Sequence, residues 1–164
     1  GGQTIGAPLG GGAAGQQALT RAISYVKSHG GGTLALSSQS TAASAIVAND
    51  ADVAGIGGFS GRESQITVSW LASEVRAGHI RWVLSEGSEQ TGPRLPGDNR
   101  VGARMAMAAV REICTRVEAG LSSESGAGES SAGSAGAGEA SSDALYDCVG
   151  RAAALSSHGS ATAS

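Results

Sequence analysis

Three short apolar runs, Thr33-Leu34-Ala35-Leu36, Asp52-Val53-Ala54-Gly55-Ile56 and Ile80-Arg81-Trp82-Val83-Leu84, sit between segments whose apolar residues recur every three or four positions. That alternation limits the fold more than any other feature of the chain. Brief apolar runs bounded by turn signals suit strands, and the 3.6-residue spacing between them suits helices. Leu19, Ile23 and Val26 mark a helix over about 15–29, closed by Gly30-Gly31-Gly32. Ser40 is read as the N-cap of a second helix over about 41–48, which Asn49-Asp50 ends. Val68, Leu71 and Val75 line a third over about 65–77, stopped by Gly78, and Ala106, Val110, Ile113 and Val117 share one face of a long helix over about 100–118. Leu145, Cys148, Ala152 and Leu155 have the spacing of a terminal helix. Strands alternating with helices predict an α/β fold with right-handed crossovers. The expected sheet is small and parallel, of three or four strands, with helices on both faces. A fourth strand would be an edge strand within 86–99, and a C-terminal helix would complete the fold.

Composition trims the foldable length. Gly, Ala and Ser dominate the 164 residues, aromatics are 3%, and much of the Gly and Ser falls at the ends and between about 120 and 142. Such stretches bury too little apolar surface to offset the entropy of ordering them. The organisation expected is a flexible linker over 1–13, an α/β domain over 14–118 and a low-complexity disordered loop over 119–142. A helix over 143–156 then docks on the domain, and a disordered tail covers 157–164.

The net charge of −3 and the scattered arginines leave no basic stripe with interleaved aromatics, so nucleic acid is not an expected partner. No run approaches 18 apolar residues, and the chain itself is not expected to span a bilayer. Gly1-Gly2-Gln3-Thr4 has neither a basic nor an apolar region of a signal peptide and reads as a linker or the start of a fragment. Two cysteines, Cys114 and Cys148, are either buried free thiols or a disulfide pair. Each is placed in a predicted helix, with the Ser/Gly/Ala tract between them. A bond would tie the terminal helix back across that tract, adding roughly 3–4 kcal/mol by loop closure and implying an oxidising compartment. Neither CxxC nor a His partner at ligand spacing is present, which disfavours zinc and redox catalysis.

Ligands of a parallel α/β sheet collect at the carboxyl ends of its strands. Three loops meet that rule: Ser37-Ser38-Gln39-Ser40, the run from Gly57-Gly58-Phe59-Ser60-Gly61 to Arg62-Glu63, and Ser85-Glu86-Gly87-Ser88. They offer hydroxyls, amides at helix starts, a guanidinium and two carboxyls, a set able to take a sugar or a phosphate. Ordinary turn and cap residues are the plainer reading of the same loops. The run from Gly55 lacks the third glycine of G-x-G-x-x-G and an acid at the end of the next strand, so no dinucleotide site is expected. Gly58-Phe59-Ser60-Gly61 has the wrong spacing for a nucleophile elbow. His29, His79 and His158 have no partner at motif spacing and read as surface histidines; Glu86 and Glu89 read as loop acids, and Trp70 and Trp82 as core. No catalytic residue, metal site or cofactor is assigned.

A strand ending in Gly57-Gly58-Phe59-Ser60-Gly61, then a helix, then Gly78-His79-Ile80-Arg81-Trp82-Val83-Leu84, resembles the C-terminal region of mannosyltransferases of the YkcA/YkcB type. These belong with the membrane-embedded glycosyltransferases related to protein mannosyltransferases and aminoarabinose transferases. The pattern of actinobacterial versions continues in Gly30-Gly31-Gly32-Thr33, in Ser37-Ser38-Gln39, in Arg100 to Val110 and in Leu145-Tyr146-Asp147-Cys148, so the resemblance covers about residues 15–155. It implies a parent enzyme with many transmembrane helices that uses a polyprenyl-phosphate-linked sugar. The catalytic acid of that enzyme would lie outside this chain. It also implies a place on the extracytoplasmic face of the membrane, which agrees with a Cys114–Cys148 bond. Expected partners are the transmembrane part of the same polypeptide and a glycan or polyprenyl-phosphate sugar. The leading expectation is an accessory binding domain; the alternatives are a supporting module without a ligand and, least favoured, a free-standing hydrolase.

Overall fold

The structure, a computed structural model, describes residues 13–86, 102–121 and 143–162. The elements in chain order are α1 (Ala13–Ser28), β1 (Leu34–Leu36), α2 (Gln39–Asn49), β2 (Val53–Gly55), α3 (Val68–Ala77), β3 (Trp82–Ser85), α4 (Arg104–Ile113), β4 (Thr115–Val117), β5 (Ala144–Asp147) and α5 (Ala152–Thr162). The α/β class and the helices on both faces are as expected. The sheet is larger than expected, five strands in the order β2-β1-β3-β5-β4. β1 pairs in parallel with β2 and β3, while β5 runs antiparallel to both β3 and β4.

Alternation along the strands divides the core in two. Leu34, Leu36, Trp82, Leu84 and Leu145 face α1 and α2, where Leu19, Ala22, Ile23, Val26, Ala42 and Ala45 cover them. Ala35, Val83, Ala144 and Tyr146 face the other way, onto Leu71, Ala72 and Val75 of α3, Ala106 and Val110 of α4, and Leu155 of α5. Both faces being covered explains why the strands read as continuous apolar runs. Trp82 anchors the start of β3: its Nε1 donates to the Gly31 carbonyl at 2.9 Å, and the Arg81 guanidinium lies 4.5 Å from its ring centre. Gly30, Gly31 and Gly32 all have positive φ (91°, 67° and 103°), a path that side chains other than glycine resist.

Several sequence-based boundaries shift. The cap of α2 is Ser38 rather than Ser40, with the Ser38 side chain accepting from the Thr41 amide. The expected long helix over 100–118 stops at Ile113, and Thr115–Val117 leave it to form β4, where β-branched side chains suit an edge strand. Within 143–156, read as one helix, Ala144–Asp147 form β5 and the helix begins only at Ala152. The spacing of Leu145, Cys148, Ala152 and Leu155 imitates a helix because β5, lying between two strands and covered on both faces, shows no alternation. Gly150, at φ 72°, separates strand from helix. Helix α5 also runs through most of 157–164, read as tail, reaching Thr162. Leu121, read as part of the disordered loop, is buried in the core beside Val117 and Ala119. Ala13, read as the end of a linker over 1–13, opens α1 instead; the rest of that linker, residues 87–99 of the expected edge strand and the tract over 122–142 lie outside the described residues.

Cys114 and Cys148 form a disulfide with Cα atoms 4.7 Å apart. Neither sits inside a helix, contrary to the sequence reading: Cys114 is the extended residue closing α4, and Cys148 follows β5. The bond therefore staples α4 to the antiparallel side of the sheet. Among the described residues no helix is long and apolar enough to cross a membrane.

Candidate functional site at the carboxyl edge

From β1 the chain moves outward to β2, then crosses back over β1 to β3, so the strand order reverses between β1 and β3. Open α/β sheets bind ligands at such a reversal, outside the carboxyl ends of the strands. Here the reversal is lined by Ser37, just past β1, and by Ser85 and Glu86 at the end of β3. The β1–β3 register pairs Leu34 with Trp82 and Ala35 with Val83, and two residues further on it brings Ser37 abreast of Ser85. Among the described residues, Ser37, Ser38 and Ser85 are the buried polar side chains, and all three lie at this edge.

The two abreast serines have different partners. Ser37 Oγ donates to Glu86 Oε2 at 3.0 Å. Ser85 Oγ accepts from Arg111 Nε at 3.0 Å and from its Nη2 at 2.6 Å. Burial pushes the Glu86 carboxyl above its ordinary 4.5, and the nearby Asp143 charge pushes the same way, while the Ser37 hydroxyl opposes them. The crevice thus assembles two hydroxyls, a carboxyl that holds its proton more tightly than usual, and a guanidinium. Arg111 can only donate to Ser85, while the Glu86 carboxyl accepts from Ser37, and together they can exchange hydrogen bonds with a hydroxylated ligand.

Beside the crevice the glycine-rich loop is held rigidly. Gly57 N donates to the Ser37 carbonyl at 2.7 Å, and Ser64 N to the Gly57 carbonyl at 3.0 Å. A Cβ on Gly57 would stand 2.6 Å from the Ser37 carbonyl oxygen, and one on Gly102 would collide with the Gly61 carbonyl oxygen. Gly58 and Gly61 have φ of 93° and 88°. The carbonyls of Gly58 and Phe59 accept from the amides of Gln39 (2.9 Å) and Ser40 (3.2 Å), and Ser38 Oγ donates to the Phe59 carbonyl at 2.9 Å. The first amides of α2 are therefore already engaged by the loop. Glu63 folds onto its own loop: its carboxylate accepts from the Ser60 hydroxyl and amide and from the Arg62 amide. The Ser60 hydroxyl foremost, and then its amide, holds that carboxylate down at about 2. Phe59 is the large apolar side chain that this loop exposes, 71% exposed on a backbone pinned at its carbonyl.

Ser37, Ser38, Gln39, Ser40, Gly57–Glu63, Ser85 and Glu86 thus gather along one edge, as the strand-end rule anticipates. Their roles divide: Ser37, Ser85 and Glu86 line the crevice, while Ser38, Gln39 and Ser40 secure the loop. Gly87, Ser88 and Glu89 lie outside the described residues. Sequence reasoning missed Arg111 and Asp143. Arg111 sits in the last turn of an otherwise Ala- and Met-rich α4, and a lone arginine there was the only signal. Asp143 was hidden by the helix reading, since only as the residue before β5, whose Ala144 pairs with Ser85, does it reach the edge. Trp70, read as core, is 39% exposed, whereas Trp82 is buried. The histidines are elsewhere: His29 stacks on Tyr25, His79 pairs with Glu74, and His158 with Glu112. An apolar cleft of about 130 Å³, lined by Ile23, Val26, Leu34 and Val53, opens at the opposite end of the strands.

One family model, described as "Putative mannosyltransferase YkcB-like, C-terminal", matches residues 19–105. The match runs from α1 through the first residues of α4, so it includes the three crevice residues and the whole glycine loop, and leaves out Arg111 and the disulfide. No curated protein and no solved structure matches the chain.

Proposed function

Because this chain belongs to the family of C-terminal domains of YkcB-like putative mannosyltransferases, we propose that it is an accessory, saccharide-binding domain of a membrane-embedded glycosyltransferase. The observation that carries this is the convergence of Ser37, Ser85, Glu86 and Arg111 at the strand-order reversal, with Phe59 exposed beside them. Hydroxyls and a carboxyl can exchange hydrogen bonds with sugar hydroxyls. A fixed aromatic face can cover the apolar face of a sugar ring, and the Arg111 guanidinium brings a positive charge that favours a phosphate. The ligand is an acceptor glycan or a polyprenyl-phosphate sugar. The domain stands on the extracytoplasmic face, supported by the Cys114–Cys148 bond, since disulfides persist in oxidising compartments.

The test is a titration of isotope-labelled protein with a manno-oligosaccharide and, separately, with a short-chain polyprenyl phosphate, followed by amide NMR. Shifts should concentrate at Ser37–Ser40, Gly57–Glu63 and Ser85–Glu86. Spectra unmoved by either ligand at millimolar concentration would refute the binding role. The remaining reading is then a module that supports the membrane part without a ligand. One observation favours it: the amides of Gln39 and Ser40 and the carboxylate of Glu63 are all satisfied internally.

A further inference from the structure

Phe59, Trp70 and Met105 are 71%, 39% and 46% exposed, and they come from three separate segments. The topology places all three at the carboxyl edge. Phe59 tops the glycine loop, while Trp70 and Met105 belong to the first turns of α3 and α4, both of which start at that edge. Helical side chains lean toward the N-terminus of their helix, so both lean toward that edge. The three segments are tied into one body: Ile66 N donates to the Gly102 carbonyl at 3.2 Å and Ala103 N to the Gly61 carbonyl at 3.3 Å. Arg62 and Arg104 stand among these apolar residues, and no partner among the described residues holds either guanidinium.

We infer that this edge docks on the surface of an anionic lipid bilayer through Phe59, Trp70 and Met105, with Arg62 and Arg104 on the lipid phosphates. Trp and other aromatics settle at the level of the headgroups, and nearby arginines add attraction to anionic lipid. The helix ends agree in sign, because α2, α3 and α4 point their positive N-termini at this edge; of the acids there, Glu63 is turned onto Ser60 and the Arg62 amide, Glu86 onto Ser37, and Asp143 adds a negative charge. The opposite edge differs: beside its exposed Ile46, Val47 and Val149, the cations are already engaged, Lys27 on the Asn49 carbonyl and Arg81 on Asp147. Chain direction also favours the carboxyl edge. The family places this domain C-terminally, and α1, the first described element, ends at the amino edge and so begins on the carboxyl side. Apolar side chains spread around a polar crevice suit a deformable lipid surface better than the flat, continuous patch of a protein interface. Docked this way, the Ser37–Ser85 crevice faces the headgroups.

The experiment is co-sedimentation of the full chain with vesicles of phosphatidylglycerol and phosphatidylethanolamine, against vesicles of phosphatidylcholine alone. Binding should occur with the first and weaken as salt is raised. Trp70 reports insertion directly, because Trp82 is only 2% exposed and its emission stays constant; the total emission should shift to the blue. Phe59→Ala and Met105→Ala should each cut partitioning severalfold, roughly tenfold for Phe59, without lowering the melting temperature. No sedimentation with the anionic vesicles overturns the inference. So does binding that the two variants leave unchanged, or emission that does not move. The vesicles carry no saccharide, so the outcome is independent of whether the crevice binds one.

Discussion

Breaking the Cys114–Cys148 bond should cost this domain a large share of its stability. The bonded cysteines are 34 residues apart, and closing a loop of that length removes about 3.8 kcal/mol of unfolded-chain entropy in the loop-closure treatment. Domains of ordinary stability have about 5–15 kcal/mol in total, and for a body of this size the loss corresponds to a fall in melting temperature of roughly 10–20 °C. The double variant Cys114→Ala, Cys148→Ala is the cleanest perturbation, because both side chains are buried, at 7% and 0% exposure, and alanine leaves no hydroxyl without a partner there. Urea unfolding of the oxidised protein, the reduced protein and the double variant gives the three free energies. The entropic origin predicts that reduction and double substitution cost similar amounts, with a larger denaturant slope once the unfolded chain is released. A loss below about 1 kcal/mol would refute the reasoning. So would a free-thiol count in denatured protein that reduction leaves unchanged.

Gly57→Ala should destabilise by about 1–3 kcal/mol in thermal or urea melts, since the added Cβ meets the backbone of Ser37 and Gly61 and neither can withdraw without moving the loop; Gly15→Ala in α1, where nothing lies within 4 Å, should instead stabilise by about 0.5–1 kcal/mol. The raised carboxyl of Glu86 means that the folded state holds its proton more tightly than the unfolded state does. Its contribution therefore favours folding at low pH and diminishes as pH rises from about 4.5, the unfolded value, through the folded one. Stability measured by urea at a series of pH values should fall less steeply above 4.5 in Glu86→Gln than in the natural protein; parallel slopes would show that Glu86 ionises freely.

How much of the fold was legible can be followed residue by residue. The helices α1 and α3 and the strands β1, β2 and β3 were placed within a few residues, because each is announced by local signals. These are apolar residues at helical spacing, Gly78 or the Gly30–Gly32 run at an end, and a compact apolar run between turns. The loops of the crevice were legible for the same reason, through the rule that ligands gather where parallel strands end. The antiparallel half was not. Ala144–Asp147 carry spacing that fits a helix as well as a buried strand, and Val117 of β4 continues the helical spacing of Ala106, Val110 and Ile113.

What the sequence by itself determined is the alternation of helix and strand, the sharp glycine turns and the serine-rich ends of the parallel strands. Each depends on hydrogen bonds and torsions confined to a few consecutive residues. Tertiary structure alone decided that β5 inserts between β3 and β4, bringing Asp143 to the edge beside Glu86. It also decided that α4 delivers Arg111 to Ser85, and that Trp70 points outward while Trp82 is enclosed. Those outcomes depend on which surfaces remain uncovered once the local elements have formed, and on contacts between residues 26 or more positions apart such as Ser85 with Arg111.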